Sequence, residues 1–329
     1  MFFFFLDLLA LGCINAILVL GLNLEYGYAG ILNFTYYTFA AIGAYVTAVT
    51  TMGKPPPYLG NESYILQWTL PWPVGLLLGG VAAMILGLIM VFVAVRRLRS
   101  DYLAIVSISV GLIVWEIVTN DVHLFNGSNG VFGVPPITGS LPISEAGYTA
   151  VIFAVSFACL AFFWWVARRI FRSPFGRVLR AVREDEILAA SYGKSVFGAQ
   201  LWIVLIGSFM AGVAGGLLID YVSAFNPAGF LPVETFVLLA ALIIGGSGNF
   251  NGSIIGAFLI IELLLEVSRF VPDFGRPDLV GAVRAILIGV VLIVVLRYRP
   301  GGLMPESGIR LYRKKKGEAK QPEPAKEAP

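Results

Sequence analysis

The densest charge in this chain falls in residues 173–194, SPFGRVLRAVREDEILAASYGK, where Arg177, Arg180, Arg183 and Glu184 recur three or four residues apart. Side chains at that spacing share one side of a helix. Guanidinium and carboxylate groups so placed form directed ion pairs with another surface and make or break no covalent bond. Ser173 and Pro174 supply the N-cap and first position of a helix start, and Gly193 supplies a left-handed closing residue. Val178, Leu179, Val182, Ala189 and Ala190 form a modest apolar stripe, and Arg177, Arg180, Arg183 and Glu184 look outward. The chemistry this stretch offers is docking.

Other chemistries find less support. The acids Asp7, Glu25, Glu116, Asp220, Glu234, Glu262 and Glu266 mostly fall at the ends of apolar stretches. Glu262 and Glu266 share a helix face, and Glu266 stands three residues from Arg269, which an ordinary ion pair explains. Glu116 alone is placed to test as a proton relay, and His123 reads as an interfacial residue. No Cys/His cluster has metal-ligand spacing, and no Ser/His/Asp set has a catalytic context, so the chain reads as no enzyme and holds no metal. The run GGSGNFNG at 245–252 has the spacing G-x-G-x-x-x-G and follows an apolar helix, which excludes a nucleotide-binding loop.

The elements that carry these residues are written in the composition. The chain has 329 residues, 58% of them hydrophobic and 13% charged, with mean hydropathy +0.84. Soluble domains carry about 25% charged residues. Runs long enough to cross a bilayer fall near 2–22, 28–51, 72–95, 100–119, 148–170, 200–222 and 279–297, with an interrupted segment across 234–268. The fold class is therefore all-α, a polytopic transmembrane bundle with interrupted helices and about eight to ten membrane segments. The apolar opening has no basic leader and reads as a retained first span. Cys13 and Cys159 lie inside apolar spans, so no disulfide framework is expected.

Charge orients the bundle. Arg96, Arg97 and Arg99, the arginines and lysine of 168–194, and the basic tail from Arg297 to Lys326 hold nineteen of the 23 basic residues. All fall on one face if the interrupted segment is a hairpin, leaving Lys54, Arg269, Arg276 and Arg284 for the other. By the positive-inside rule the crowded face is cytosolic, the C-terminus included. Two domains follow: a membrane domain over 1–300, with a cytoplasmic loop at 171–198, and a basic tail over 301–329 whose charged, proline-bearing composition predicts disorder.

Two apolar stretches are broken by small and amide residues, one at Gly27-Tyr-Ala-Gly30-Ile-Leu-Asn33-Phe and one at 245–252. Irregular backbone at membrane depth is tolerated where protein or a water-filled cavity satisfies its polar groups. Paired interruptions in two halves of a chain point to a transport path. Asn23, Asn33, Tyr36, Gly246 and Asn249 at and beside the breaks are candidate path residues. Gly43 and Gly256 are better explained by close helix packing.

Leu20-Gly-Leu-Asn23-Leu-Glu-Tyr-Gly-Tyr-Ala-Gly30, with Gly43-Ala-Tyr45, resembles the opening signature of branched-chain amino acid ABC permeases of the LivM type. So do Arg99-Ser-Asp-Tyr-Leu-Ala-Ile105 and Asn126-Gly-Ser-Asn-Gly-Val-Phe-Gly-Val-Pro135, while 245–256 and Arg299-Pro-Gly-Gly-Leu303 match its closing motifs. The resemblance spans nearly the whole chain in the expected order. It implies a half-permease in a bacterial inner membrane, paired as a heterodimer with a LivH-type subunit and completed by two cytosolic ATP-binding subunits and an extracytoplasmic solute-binding protein. ATP and Mg would be bound by those ATPase subunits and no cofactor by this chain; no nucleic acid is involved. The loop 173–194 matches the family's ATPase-coupling helix, carried here by Arg177, Arg180, Arg183, Glu184, Ala189, Ala190 and Gly193. Asn33-Phe-Thr-Tyr-Tyr and Ser107-Ile-Ser109 depart from the family pattern, and Ser107 and Ser109 join the candidate path. If the path is lined there, the cargo shifts from leucine, isoleucine or valine toward urea, short amides or other amino acids. An ion-coupled secondary transporter is the rival reading, and it would need coupling-ion ligands at mid-membrane.

Overall fold

The computed structural model describes residues 2–54, 64–95, 100–139, 144–263, 277–299 and 301–306. Arg96, Arg97, Arg99, Glu266, Arg269, Arg276 and residues 307–329 lie outside the described residues. The helices are α1 (Phe2–Leu22), α2 (Tyr36–Thr51), α3 (Trp72–Met90), α4 (Ser100–Asn120), α5 (Val122–Phe125), α6 (Glu145–Arg172), α7 (Pro174–Glu184), α8 (Glu186–Ser191), α9 (Val196–Val222), α10 (Pro232–Gly245), α11 (Phe250–Gly256) and α12 (Pro277–Tyr298). Six helical stretches among the described residues are long and apolar enough to span a bilayer: Phe4–Tyr28, Trp72–Val95, Tyr102–Asn120, Gly147–Arg172, Val196–Val222 and Pro227–Gly245. The architecture is an all-α polytopic membrane bundle.

Its centre is α9, packed between α1, α2 and α3. Small residues bring these helices together, as expected where lipid gives no hydrophobic drive for helix association. A methyl group on Gly43 would overlap the backbone of Gly212, and one on Gly215 would overlap Ala40. α10 and α11 form a tight hairpin: a methyl on Gly256 would strike Ala241, and one on Gly245 would strike Gly252. Gly43 and Gly256 are packing positions; residues 264–268 of the interrupted segment lie outside the described residues.

Opposite ends of the bundle differ. At one end β1 (Val131–Phe132) and β2 (Ala224–Phe225) pair antiparallel. Tyr45 packs there among Phe125, Phe225 and Phe230 at ring separations of 4.7, 5.3 and 5.9 Å. Trp72 Nε1 donates to Asp220 below this cap, and the Tyr148 hydroxyl donates to the Asp220 carbonyl at 2.6 Å. The other end carries α7, α8 and the arginines of late α6, and is the basic end.

Two sequence expectations change in detail. Residues 173–193 form two helices and not one: Asp185 is extended (φ −158°, ψ 108°) and its side chain caps α8 by accepting from the Leu188 amide at 2.9 Å. Ser173 stands at the N-cap of α7, but its hydroxyl donates back to the Ile170 carbonyl at 2.5 Å. Gly193 does close α8 in the left-handed region, at φ 72°. Beyond α12, the Leu303 and Met304 amides donate to the Ile244 and Gly245 carbonyls at 2.8 and 3.0 Å.

Candidate functional site

The first break begins where α1 widens into a π-helical turn, Asn23–Tyr28. Such turns relax the helix ladder and often mark functional positions. Gly30 (φ 73°) then turns the chain out of the helix, with the Gly30 and Ile31 amides donating to Tyr26 and Glu25 carbonyls at 3.1 and 2.9 Å. Residues 30–35 run without regular helix until α2 begins at Tyr36. Protein groups meet several of their polar atoms. The Phe34 amide donates to Ser107 Oγ at 3.0 Å, the Thr35 amide to Asn33 Oδ1 at 2.9 Å, and Thr35 Oγ1 donates to the Ser107 carbonyl. Asn33 Nδ2 donates to Glu25 Oε2 at 2.8 Å, and the Tyr36 hydroxyl to the Gly207 carbonyl at 3.1 Å.

The second break is the loop between α10 and α11. Gly246 (φ 121°) and Gly248 (φ 78°) take conformations that a side chain would strain. Asn249 then caps α11, accepting from the Asn251 and Gly252 amides at 3.0 and 3.2 Å. The two breaks meet. Asn23 Oδ1 accepts from the Gly248 amide at 2.9 Å, and the Tyr28 hydroxyl donates to the Gly248 carbonyl at 2.7 Å. The Tyr28 ring clusters with Phe171 and Phe250, with centroids 4.4 and 4.8 Å away, and those two rings meet edge-on at 5.6 Å.

The candidate path residues therefore divide into groups. Asn23, Gly246 and Asn249 gather at the basic end, while Asn33, Tyr36 and Ser107 clamp the unwound strand higher in the bundle. Asn23, Asn33, Tyr36 and Ser107 are buried and engaged in internal hydrogen bonds. Ser109 is exposed on α4, one turn from a stripe of exposed Ile105, Leu112, Ile113 and Ile117. Glu116 and Asn120 share that outer face, bonded to each other at 2.8 Å. Beside the unwound strand, Phe34 stacks on Phe236 at 4.7 Å, and Tyr26, Leu32, Val237 and Ile288 help line an apolar groove of about 430 Å³.

The docking segment presents a different face from the one its stripe predicts. Leu179, Val182 and Ala189 are buried against the chain's own body, and Glu186 is tied to Gln200 at 2.8 Å. Ala190 is exposed rather than part of the buried stripe, because the α7–α8 elbow re-aims the second helix. Arg177 and Glu184 face outward. Arg180 lies over the Phe171 ring at 4.3 Å, and Arg183, expected to look outward, turns inward to the Gly27 carbonyl and to Glu306. What α8 exposes is Ile187 (81%), Leu188 (54%) and Tyr192 (77%). These three were not singled out in the sequence, although apolar residues off the stripe of an otherwise polar helix were a readable signal.

A family model described as the permease component of branched-chain amino acid transport systems matches residues 4–296. Among curated proteins, the chain is similar to the high-affinity branched-chain amino acid transport system permease protein LivM of Escherichia coli K12, at 30% identity over 91% of this chain and 69% of that protein. It is 26% identical to a probable LivM of Methanocaldococcus jannaschii, over 89% of this chain and 91% of the relative. It also matches that organism's probable LivH, at 26% identity over 86% of each. No solved structure matches it significantly.

Proposed function

The chain belongs to the family of branched-chain amino acid transport permease components, and from that premise we propose that it forms half of the membrane pathway of an ATP-driven importer. The observation that carries this reading is the tip of α8. Ile187, Leu188 and Tyr192 stand exposed on a short helix whose own stripe is already buried in the bundle. An exposed apolar cluster rimmed by charge marks a protein contact. On the arginine-rich, cytosolic side of the membrane, that contact is a separate ATPase subunit, which binds ATP and Mg; this chain binds no cofactor.

A second permease of LivH type covers the outer face of α4, and a solute-binding protein delivers cargo to the end capped by β1 and β2. The likeness to both LivM and LivH proteins supports a pair of related subunits. The chain lies in the plasma membrane with its C-terminus in the cytoplasm. Its cargo is a branched-chain amino acid.

The mechanism follows from the ties between elements. α7 packs on the bundle through Leu179 and Val182 and joins α8 at Asp185, so a displacement of α8 by the ATPase is passed through α7 into the bundle as by a lever. The lever acts at the base of the two breaks, where helices held by a few hydrogen bonds repack at less cost than a continuous helix.

The test is uptake by proteoliposomes carrying both permeases, both ATPase subunits and the binding protein. Expected is ATP-dependent uptake of leucine, isoleucine or valine that requires every component. Uptake of urea, short amides or other amino acids instead would overturn the cargo and keep the importer. ATP-independent uptake by this chain alone would overturn the importer in favour of an ion-coupled carrier.

A further inference from the structure

Arg183 is the residue of the α7–α8 elbow that reaches both breaks. Its side chain is 26% exposed, and its two terminal nitrogens go different ways. Nη1 donates to the carbonyl of Gly27, in the π-helical turn at the foot of α1. Nη2 pairs with Glu306 Oε2 at 2.8 Å, the one ion pair among the described residues. Glu306 follows Leu303 and Met304, whose amides are bonded to the last turn of α10. Gly248 lies between them: a methyl there would stand 3.0 Å from Glu306 Oε2 and 3.3 Å from Arg183 Nη1. Gly30 lies against the Arg183 stem, its added methyl 3.0 Å from Cγ. One guanidinium thus holds the first break by a carbonyl, the second by contact at Gly248, and the C-terminal strap by charge.

We propose that Arg183 and Glu306 form the joint through which motion of the elbow reaches the two interrupted helices. The inference rests on the coupling reading above and names the residues that transmit it. A guanidinium suits the task because its planar fork satisfies a carbonyl and a carboxylate at once, which an ammonium cannot do in fixed geometry. The Gly27 carbonyl is in an irregular turn and lacks a regular helix partner, so Arg183 supplies a bond that the backbone does not. Arg183 and Glu306 are positioning residues; neither is placed to touch cargo or nucleotide.

The experiment uses the complete reconstituted importer with Arg183→Lys, Arg183→Gln, Glu306→Gln and the Arg183→Gln/Glu306→Gln double variant. Five readouts are taken: copurification of the ATPase subunits, basal ATPase rate, stimulation by cargo-loaded binding protein, cargo uptake, and melting temperature. Expected for Arg183→Gln and Glu306→Gln is normal assembly and basal ATPase, with stimulation and uptake down at least tenfold. Arg183→Lys keeps the charge, loses the fork and falls between. The double variant is no worse than Arg183→Gln alone, as for two groups that act as a unit.

Full stimulation in Glu306→Gln and Arg183→Gln would sink the joint while leaving the importer standing. Losses that track a lowered melting temperature or failed assembly in all four variants would also overturn it, since the pair would then serve folding alone. Failure of the wild-type complex to couple ATP to uptake would instead overturn the functional reading itself.

Discussion

Glu25 shows what a single residue asks of a membrane interior. It is buried, its Oε2 accepts from Asn33, and its Oε1 is pressed toward Gly207 with no hydrogen-bond partner. An uncompensated carboxylate in that setting is costly, whereas an amide of the same shape keeps the acceptor for Asn33 and adds a donor. Glu25→Gln is therefore expected to leave the melting temperature in detergent unchanged or raised, a stability change within about 1 kcal/mol. Glu25→Leu strands the Asn33 amide and is expected to lose roughly 1–3 kcal/mol. A large loss in Glu25→Gln would mean that the negative charge itself is used. The sequence flagged Asn23, Asn33 and Ser107 as polar groups where polar groups are expensive. It could not name their partners, because Gly248 and Ser253 lie more than two hundred residues away from Asn23 in the chain.

At the scale of elements, most spans were legible because hydropathy over twenty residues is a coarse and robust signal, while the run expected at 28–51 is broken and its helix covers only Tyr36–Thr51. The run expected at 72–95 is Trp72–Val95, and that at 148–170 lies within Gly147–Arg172. The elbow was less legible. Ala189 falls seven residues after Val182, in phase with an uninterrupted helix, so periodicity hid the break at Asp185. The elbow frees α8 from following the axis of α7, and so leaves Ile187 and Tyr192 pointing away from the bundle. Replacing Ile187 by Asp, or Tyr192 by Ala, removes no internal contact of consequence and should leave the fold and the permease pairing intact. Each is expected to weaken ATPase-subunit binding about tenfold, the usual scale for an interface anchor. Titration of the purified ATPase subunit against the solubilised permease pair measures this, and unchanged affinity in both would remove α8 from the interface.

For the molecule as a whole, burial is lopsided, and the imbalance bears on the proposal of a second permease. In α9 72% of the most apolar window is buried, but in α4 only 22%, although both are long and apolar enough to span a bilayer. A span facing lipid can be exposed, but its outer face should then be apolar throughout. The outer face of α4 carries Ser109, Glu116 and Asn120 among its isoleucines. Ser109 lies eleven residues before the helix end at Asn120, about 16 Å along the axis and so near the middle of a hydrocarbon layer about 30 Å thick. Ser107, two residues away, turns to the other side and clamps the unwound strand. α4 thus connects the break to an outer face on which Ser109 interrupts exposed Ile105, Leu112 and Ile113, and this supports the proposal of a path between two permeases. In a background with Cys13 and Cys159 replaced, Ser109→Cys is expected to react with a membrane-impermeant thiol reagent in the assembled importer, faster with cargo-loaded binding protein than without. Ile105→Cys and Ile113→Cys are expected to cross-link to the second permease. A Ser109→Cys that reacts only with lipid-soluble reagents, with no cross-link from either neighbour, would mean that α4 faces lipid and that the path runs elsewhere.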